Sequence, residues 1–333
     1  MKKGPKMNES AELFEKRAAL RKEFTRIAEE SEKLKIRPYQ DKFASPEYLR
    51  MAEKTNAESE KMLKRFYDLD LSLKGPEHFS RENVFVWGGP TPSWGGSMAK
   101  DAGIKAKEFF GVDNVMYVYG PLNREMLDLH RCCKKVICHL GRNCRTEGAA
   151  ASSDAEEAEN LSRLSLEYTN VIGGVVDDMT GNYGPNYSLR EYKAIHANLH
   201  KHNPALELYG VVYSWELDMT RELKAVAPCI DHVILWFWWK TDLMELDLAI
   251  EKCRVLFPGK PIMLGIFMFD YGASCLPNSA ETMHYHLEKA RRHLAAGKIQ
   301  DIVILGDREI EKCPEAASYI KGFLASEFAA SRP

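Results

Sequence analysis

The chain has 333 residues, 45% hydrophobic and 28% charged, with 46 Lys and Arg against 48 Asp and Glu and a formal net charge of -2. That length supports one large domain with a substantial core, and the balanced charge argues against a general polyanion binder, so nucleic acid is not an expected partner. No apolar run is long enough to span a bilayer, since even Val233 to Trp239 is closed by Lys240, and no membrane association is expected.

The first residues, Met1-Lys-Lys-Gly-Pro-Lys, are positive but lead into no apolar segment. The expectation is a cytoplasmic chain, or a secreted one if a signal has been removed. From Glu9 to Lys35 the chain is charged throughout, yet Leu13, Leu20, Ile27 and Leu34 recur at sevenfold spacing with Phe24 between them, which predicts an amphipathic helix. A second helix is expected from Ser45-Pro46-Glu47, with Ser at the cap and Pro in the first turn, to about Asp68. Residues 1–76 therefore read as a helical N-terminal extension that packs on the main domain or, through its heptad stripe, joins two copies as a homodimer.

After Gly75-Pro76 the pattern changes to short strand-like runs alternating with amphipathic helical segments. The strand candidates are Val84–Trp87, Asn114–Tyr119, Lys135–His139, Gly173–Asp177, Glu207–Tyr213, His232–Phe237, Pro261–Phe267 and Asp301–Leu305. Helix starts stand between them at Ser153-Asp154, at the capping box Ser188 to Glu191, and at Thr220, Asp242 and Ser279. Strand followed by helix, eight times over about 250 residues, predicts a (β/α)8 TIM barrel over residues 77–330. A doubly wound sheet is disfavoured because no glycine-rich phosphate loop follows any strand. The eight cysteines include no C-x-x-C pair, and Cys132, Cys133, Cys138 and Cys144 match no zinc spacing, so they read as small buried residues and no metal or cofactor is expected.

Barrel enzymes work at the C-terminal ends of their strands. The residues expected there include Trp87 and Trp94, Tyr119, His139, Asp177 and Asp178, Tyr213 and Glu216, Trp236, Trp238 and Lys240, Asp270, and Asp307. All six tryptophans of the chain fall at strand ends or in the loops after them, which predicts an aromatic-lined cleft suited to the C–H faces of a sugar. In the run Trp236-Phe237-Trp238-Trp239, alternate side chains should turn away from it. Glycoside hydrolysis needs two carboxyl groups, and Asp178 with Glu216 is the expected pair, supported by Asp177 and Asp270. Strand alternation would send the adjacent Asp177 and Asp178 to opposite faces, one to the site and one behind it. Trp87, Trp94, Tyr119, His139, Tyr213, Trp236, Trp238, Lys240 and Asp307 are the expected substrate contacts.

The stop Gly173-Gly-Val-Val-Asp-Asp178 on the fourth strand resembles that of an uncharacterised group of glycoside-hydrolase-like TIM barrels. The resemblance spans roughly residues 83–324 as an architecture and implies action on, or binding of, a glycan. The chain lacks the D-x-x-D-x-D-x-E of the chitinase-like pattern and the Asn-Glu pair of the cellulase-like group at this strand. Two rival readings use the same face. In one, His139, Asp178, Glu216 and Asp270 hold a divalent metal for a sugar isomerase or lyase; in the other, a non-catalytic barrel binds carbohydrate.

Overall fold

The computed structural model describes residues 78–90, 99–141, 153–179, 187–272, 274–306 and 309–331, together with Arg50, Glu53 and Ala57 as helical positions. The amphipathic segment Glu9 to Lys35 and most of the second predicted helix lie outside the described residues, as do Trp94 and Asp307.

Eight parallel strands close into a barrel in sequence order: β1 (Val84–Gly88), β2 (Asn114–Tyr117), β3 (Val136–His139), β4 (Val171–Val176), β5 (Glu207–Tyr213), β6 (His232–Trp236), β7 (Ile262–Ile266) and β8 (Asp301–Leu305). Closure is made by β1 against β8, with Val84 opposite Ile302 and Trp87 opposite Leu305. Around the strands run α1 (Ala102–Phe110), α2 (Arg124–Leu129), α3 (Asp154–Leu164), α4 (Leu189–Leu199), α5 (Thr220–Val226), α6 (Leu246–Leu256), α7 (Ala280–Ala295), α8 (Glu309–Lys312) and α9 (Pro314–Ala330). Among the described residues no helix is long and apolar enough to cross a membrane.

The strands are rich in Val, Ile and Leu because both faces are covered, one by the barrel interior and one by helices. The helices begin where their polar starts predict. Ser153 and Ser188 each form a complete capping box with the Glu three residues on, satisfying donors that would otherwise be orphaned. Ser279 caps α7 through Thr282 N. Asp242 departs from expectation: it sits inside the 3-10 segment Lys240–Glu245, accepts a 2.7 Å bond from Ser214 Oγ, and the α-helix starts only at Leu246.

Parity fixes what enters the barrel. Gly88 backs onto Gly103 of α1 and Gly174 onto Leu140 and Leu161, so these positions face the helices and their neighbours Trp87, Gly173 and Val175 face inward. Gly173 is required there, because a Cβ would lie 2.2 Å from the Glu207 carbonyl oxygen and 2.9 Å from the Tyr209 ring. The lack of a side chain lets β5 approach and leaves the interior to Tyr209.

Candidate active site

Four strands, β2, β4, β6 and β7, stop one or two residues earlier than their sequence suggests, and the stops of β2 and β4 are followed by left-handed backbone. β2 ends at Tyr117, and Tyr119 follows with φ 60; β4 ends at Val176, and Asp178 has φ 49. Left-handed backbone is costly for side chains other than Gly, Asn or Asp, on the order of 1–3 kcal/mol, and clusters at functional positions. Of the three described non-glycine residues with positive φ, these are two.

The turn at Asp178 corrects the alternation argument. Because the strand has already ended, the two aspartates are not sent to opposite faces. Tyr119 Oη donates to Asp177 Oδ2 at 3.3 Å and Tyr213 Oη donates to Asp178 Oδ1 at 2.9 Å, while Asp178 N donates to Asp177 Oδ1 at 3.1 Å. Both carboxylates therefore stand at the C-terminal end of the barrel, each bonded by a tyrosine from the end of a different strand.

The tyrosines belong to one aromatic system. Tyr119 meets Trp87 edge-on at 6.2 Å, and Trp87 meets Trp236 of the non-neighbouring strand β6 at 5.8 Å, which places both indoles inside the barrel. Trp236 stacks on Phe267 at 4.3 Å, Phe267 meets Trp238 at 6.2 Å, and Trp238 meets Tyr213 at 5.5 Å. With the bonds of Tyr213 to Asp178 and of Tyr119 to Asp177, these contacts close on themselves. Trp236 forms the floor, lying over Gly265, where a Cβ would fall 2.1 Å from the indole. Trp238 stacks on Tyr271 at 5.1 Å and stays half-exposed at the rim, whereas Phe237 turns outward to His286, as strand alternation predicts.

The electrostatics are one-sided. Burial, and then the neighbouring Asp178 charge, hold the Asp177 carboxyl well above the usual carboxylate range. Asp178 is also raised by burial, with the Tyr213 hydrogen bond working against that rise. Neither has an ion-pair partner among the described residues. His139, buried and edge-on to Tyr119 at 5.5 Å, supplies no charge, since burial holds its imidazole down at about 3. A strongly desolvated acidic pair with no cation beside it among the described residues favours retention of a proton.

The other expected carboxylates are engaged by protein. Glu216 is buried and its Oε2 accepts from Tyr213 N at 2.8 Å, so it holds the backbone of the residue that holds Asp178. Asp270 accepts from Lys240 N at 3.0 Å through Oδ1 and from Ser274 N and Oγ at 3.0 and 2.7 Å through Oδ2. It clasps the β6 and β7 loops, and Lys240 is itself buried. His139, Asp178, Glu216 and Asp270 do not converge as a metal-ligand group; among the described residues the one such group lies elsewhere, at His196, His200 and Asp231. Phe267 is the contact that sequence reading missed as a site residue. Its signal was present in the inward positions Met263, Gly265 and Phe267, but the strand was read only for its terminal polar residues.

Neither the protein-family models nor the curated proteins yield a match to this chain. Solved structures do. A candidate α-L-fucosidase from Bacteroides thetaiotaomicron superposes with a TM-score of 0.53 at 12% identity, over 78% of this chain and 96% of that one. Active domain 2 of a thermostable chitinase from Pyrococcus furiosus, studied as catalytic-site mutants with chito-oligosaccharides, superposes with a TM-score of 0.51 at 12% identity, over 78% of this chain and 99% of that one. At such identity the likeness is one of fold alone, the closed eight-stranded parallel barrel of this chain.

Proposed function

We propose that the chain is a glycoside hydrolase in which Asp177 and Asp178 form the acid and base pair. The observation that carries this reading is the closed circuit of Tyr119, Trp87, Trp236, Phe267, Trp238 and Tyr213, completed by two desolvated aspartates with no ion-pair partner among the described residues. Flat aromatic walls bind the C–H faces of a sugar ring, and an uncompensated acidic pair keeps one proton to give to a leaving oxygen. The buried indole N–H of Trp87 has no acceptor among the described residues, so a ligand oxygen at the floor would satisfy a donor that is otherwise costly to bury.

Asp177, the more strongly raised of the two, is the protonated member; Asp178, stabilised by the Tyr213 hydroxyl, is the ionised one. As the glycosidic C–O bond breaks, its electron pair goes to the leaving oxygen, which takes the Asp177 proton. Asp178 stabilises the cationic sugar, either as nucleophile or by taking a proton from the attacking water. Glu216 acts through Tyr213 as a positioning residue, and Asp270 holds the loops. His139 would shape the wall beneath the sugar rather than carry charge to it.

The test is a panel of aryl glycosides and oligosaccharides with the product anomer followed by NMR. Turnover of one class, abolished by Asp178→Asn with binding largely kept, is the expected result. Binding of glycans with no turnover of any would replace this reading by the non-catalytic one, and an unchanged rate in Asp178→Asn would remove Asp178 from the chemistry.

A further inference from the structure

We propose that the N-terminal face of the barrel carries a zinc site formed by His196, His200 and Asp231. His196 and His200 lie one turn apart at the end of α4, with ring centroids 4.2 Å apart, and Asp231 immediately precedes β6. The histidine pair is thus on one face of a helix by its i, i+4 spacing, and the carboxylate comes from the segment the helix end rests against. The Nε2 atoms of His196 and His200 are 3.6 and 3.8 Å from the same oxygen, Asp231 Oδ2, and the three donor atoms all lie within 4.8 Å of one another.

Those distances are wider than a direct hydrogen bond and leave room for an ion between the donors. A protonated imidazole bonded to a carboxylate closes to roughly 2.7–2.9 Å, and both contacts here are longer by most of an ångström. Around a tetrahedral ion bound at about 2.0–2.1 Å, donor atoms stand roughly 3.3 Å apart, a spacing that small rotamer changes would reach from this arrangement.

The tautomer supports the same conclusion. His200 Nδ1 is 2.7 Å from the His196 carbonyl oxygen, an acceptor, so Nδ1 carries a hydrogen and Nε2 is the ring nitrogen that faces Asp231. That hydrogen bond is the outer contact that commonly fixes a metal-binding histidine, and Asp231 is fixed likewise by a 2.8 Å bond from Leu208 N. Two imidazoles and one carboxylate, partly exposed, suit Zn2+ with water completing its shell, not Ca2+ or Mg2+, which take oxygen ligands.

The site joins the end of α4 to the β5–β6 connection at the face opposite Asp177 and Asp178. It would brace the barrel there without taking part in the chemistry proposed above. It also stands independently of that proposal.

Tag-free full-length protein, stripped with a chelator, would be titrated with ZnCl2 by calorimetry and melted with and without zinc. The expected result is one Zn2+ per chain, a melting temperature raised by roughly 3–5 °C at a hundredfold excess over Kd, and no shift with Mg2+. His196→Gln and His200→Gln, each at a partly exposed helix position, should both lose the stoichiometric event and the thermal shift. Absence of a one-to-one event in the wild-type chain, or its survival in both variants, would overturn the assignment.

Discussion

The two ends of the barrel use the same residue types to opposite effect. At the C-terminal end, the side-chain partners of Asp177 and Asp178 among the described residues are Tyr119 and Tyr213, and both carboxyls are held above the carboxylate range. At the N-terminal end, Glu207 meets His232 Nε2 at 2.9 Å, Tyr209 donates to Glu207 at 3.1 Å and stacks on His232 at 4.4 Å, and the His232 hydrogen bond lowers the Glu207 carboxyl despite its partial burial. A carboxylate beside an imidazole is a brace. On the proposed reading, a carboxylate beside phenols and indoles is a reagent, because what stabilises its charge is too weak to offset its desolvation.

The largest way to break this comparison is Asp178→Asn, expected to reduce kcat on the right glycoside by about 10³-fold or more while changing substrate binding little, read by steady-state kinetics and calorimetry. Tyr213→Phe comes next. Its hydroxyl favours the ionised form of Asp178, so its removal should raise that carboxyl further, move the acidic limb of the pH–rate profile to higher pH, and cost about 10–100-fold in kcat.

Asp301→Asn tests the lower end. Burial raises the Asp301 carboxyl to about 6, against the pull of Lys135 and His232 and with Glu207 adding to the rise. A carboxyl raised on folding binds its proton more tightly in the folded state, so the wild-type chain loses stability as pH rises from about 4 through about 6. The variant should lack that loss, on the order of 2–3 kcal/mol, in denaturant melts across that range. Glu207→Gln is the smallest effect. The lowered Glu207 contributes stability above its unfolded pKa that disappears as pH falls through its folded value; since Glu207 is nearly half exposed, the loss near pH 7 should be at most about 1 kcal/mol, with activity untouched.

Most of the fold was legible because its signals are local and repeated. Capping boxes at Ser153 and Ser188 and eight β-rich runs need no knowledge of distant partners. The aspartate pair was visible for the same reason, as a polar stop on an apolar run. What the chain did not display was the backbone turn at Asp178, since aspartate tolerates left-handed geometry without requiring it and the Tyr213 hydroxyl that meets its carboxylate comes from thirty-five residues away. The engagement of Asp270 was likewise hidden, because Lys240 N and Ser274 reach it from loops whose paths depend on the closed barrel. The triad of His196, His200 and Asp231 was missed because histidines on a polar helix read as solvated, and Asp231 is more than thirty residues beyond His196.

The left-handed backbone at Asp178 also narrows what descent can do with this position. Asparagine and glycine adopt φ near 49 with little strain, and most other residues do not. Every aspartate codon is a single base change from an asparagine codon and from a glycine codon. The replacements that keep this turn are therefore among the easiest to reach by mutation, and each removes the carboxylate. On the proposed reading, a barrel that holds sugars without cleaving them stands one nucleotide from the hydrolase, with its aromatic walls inherited intact.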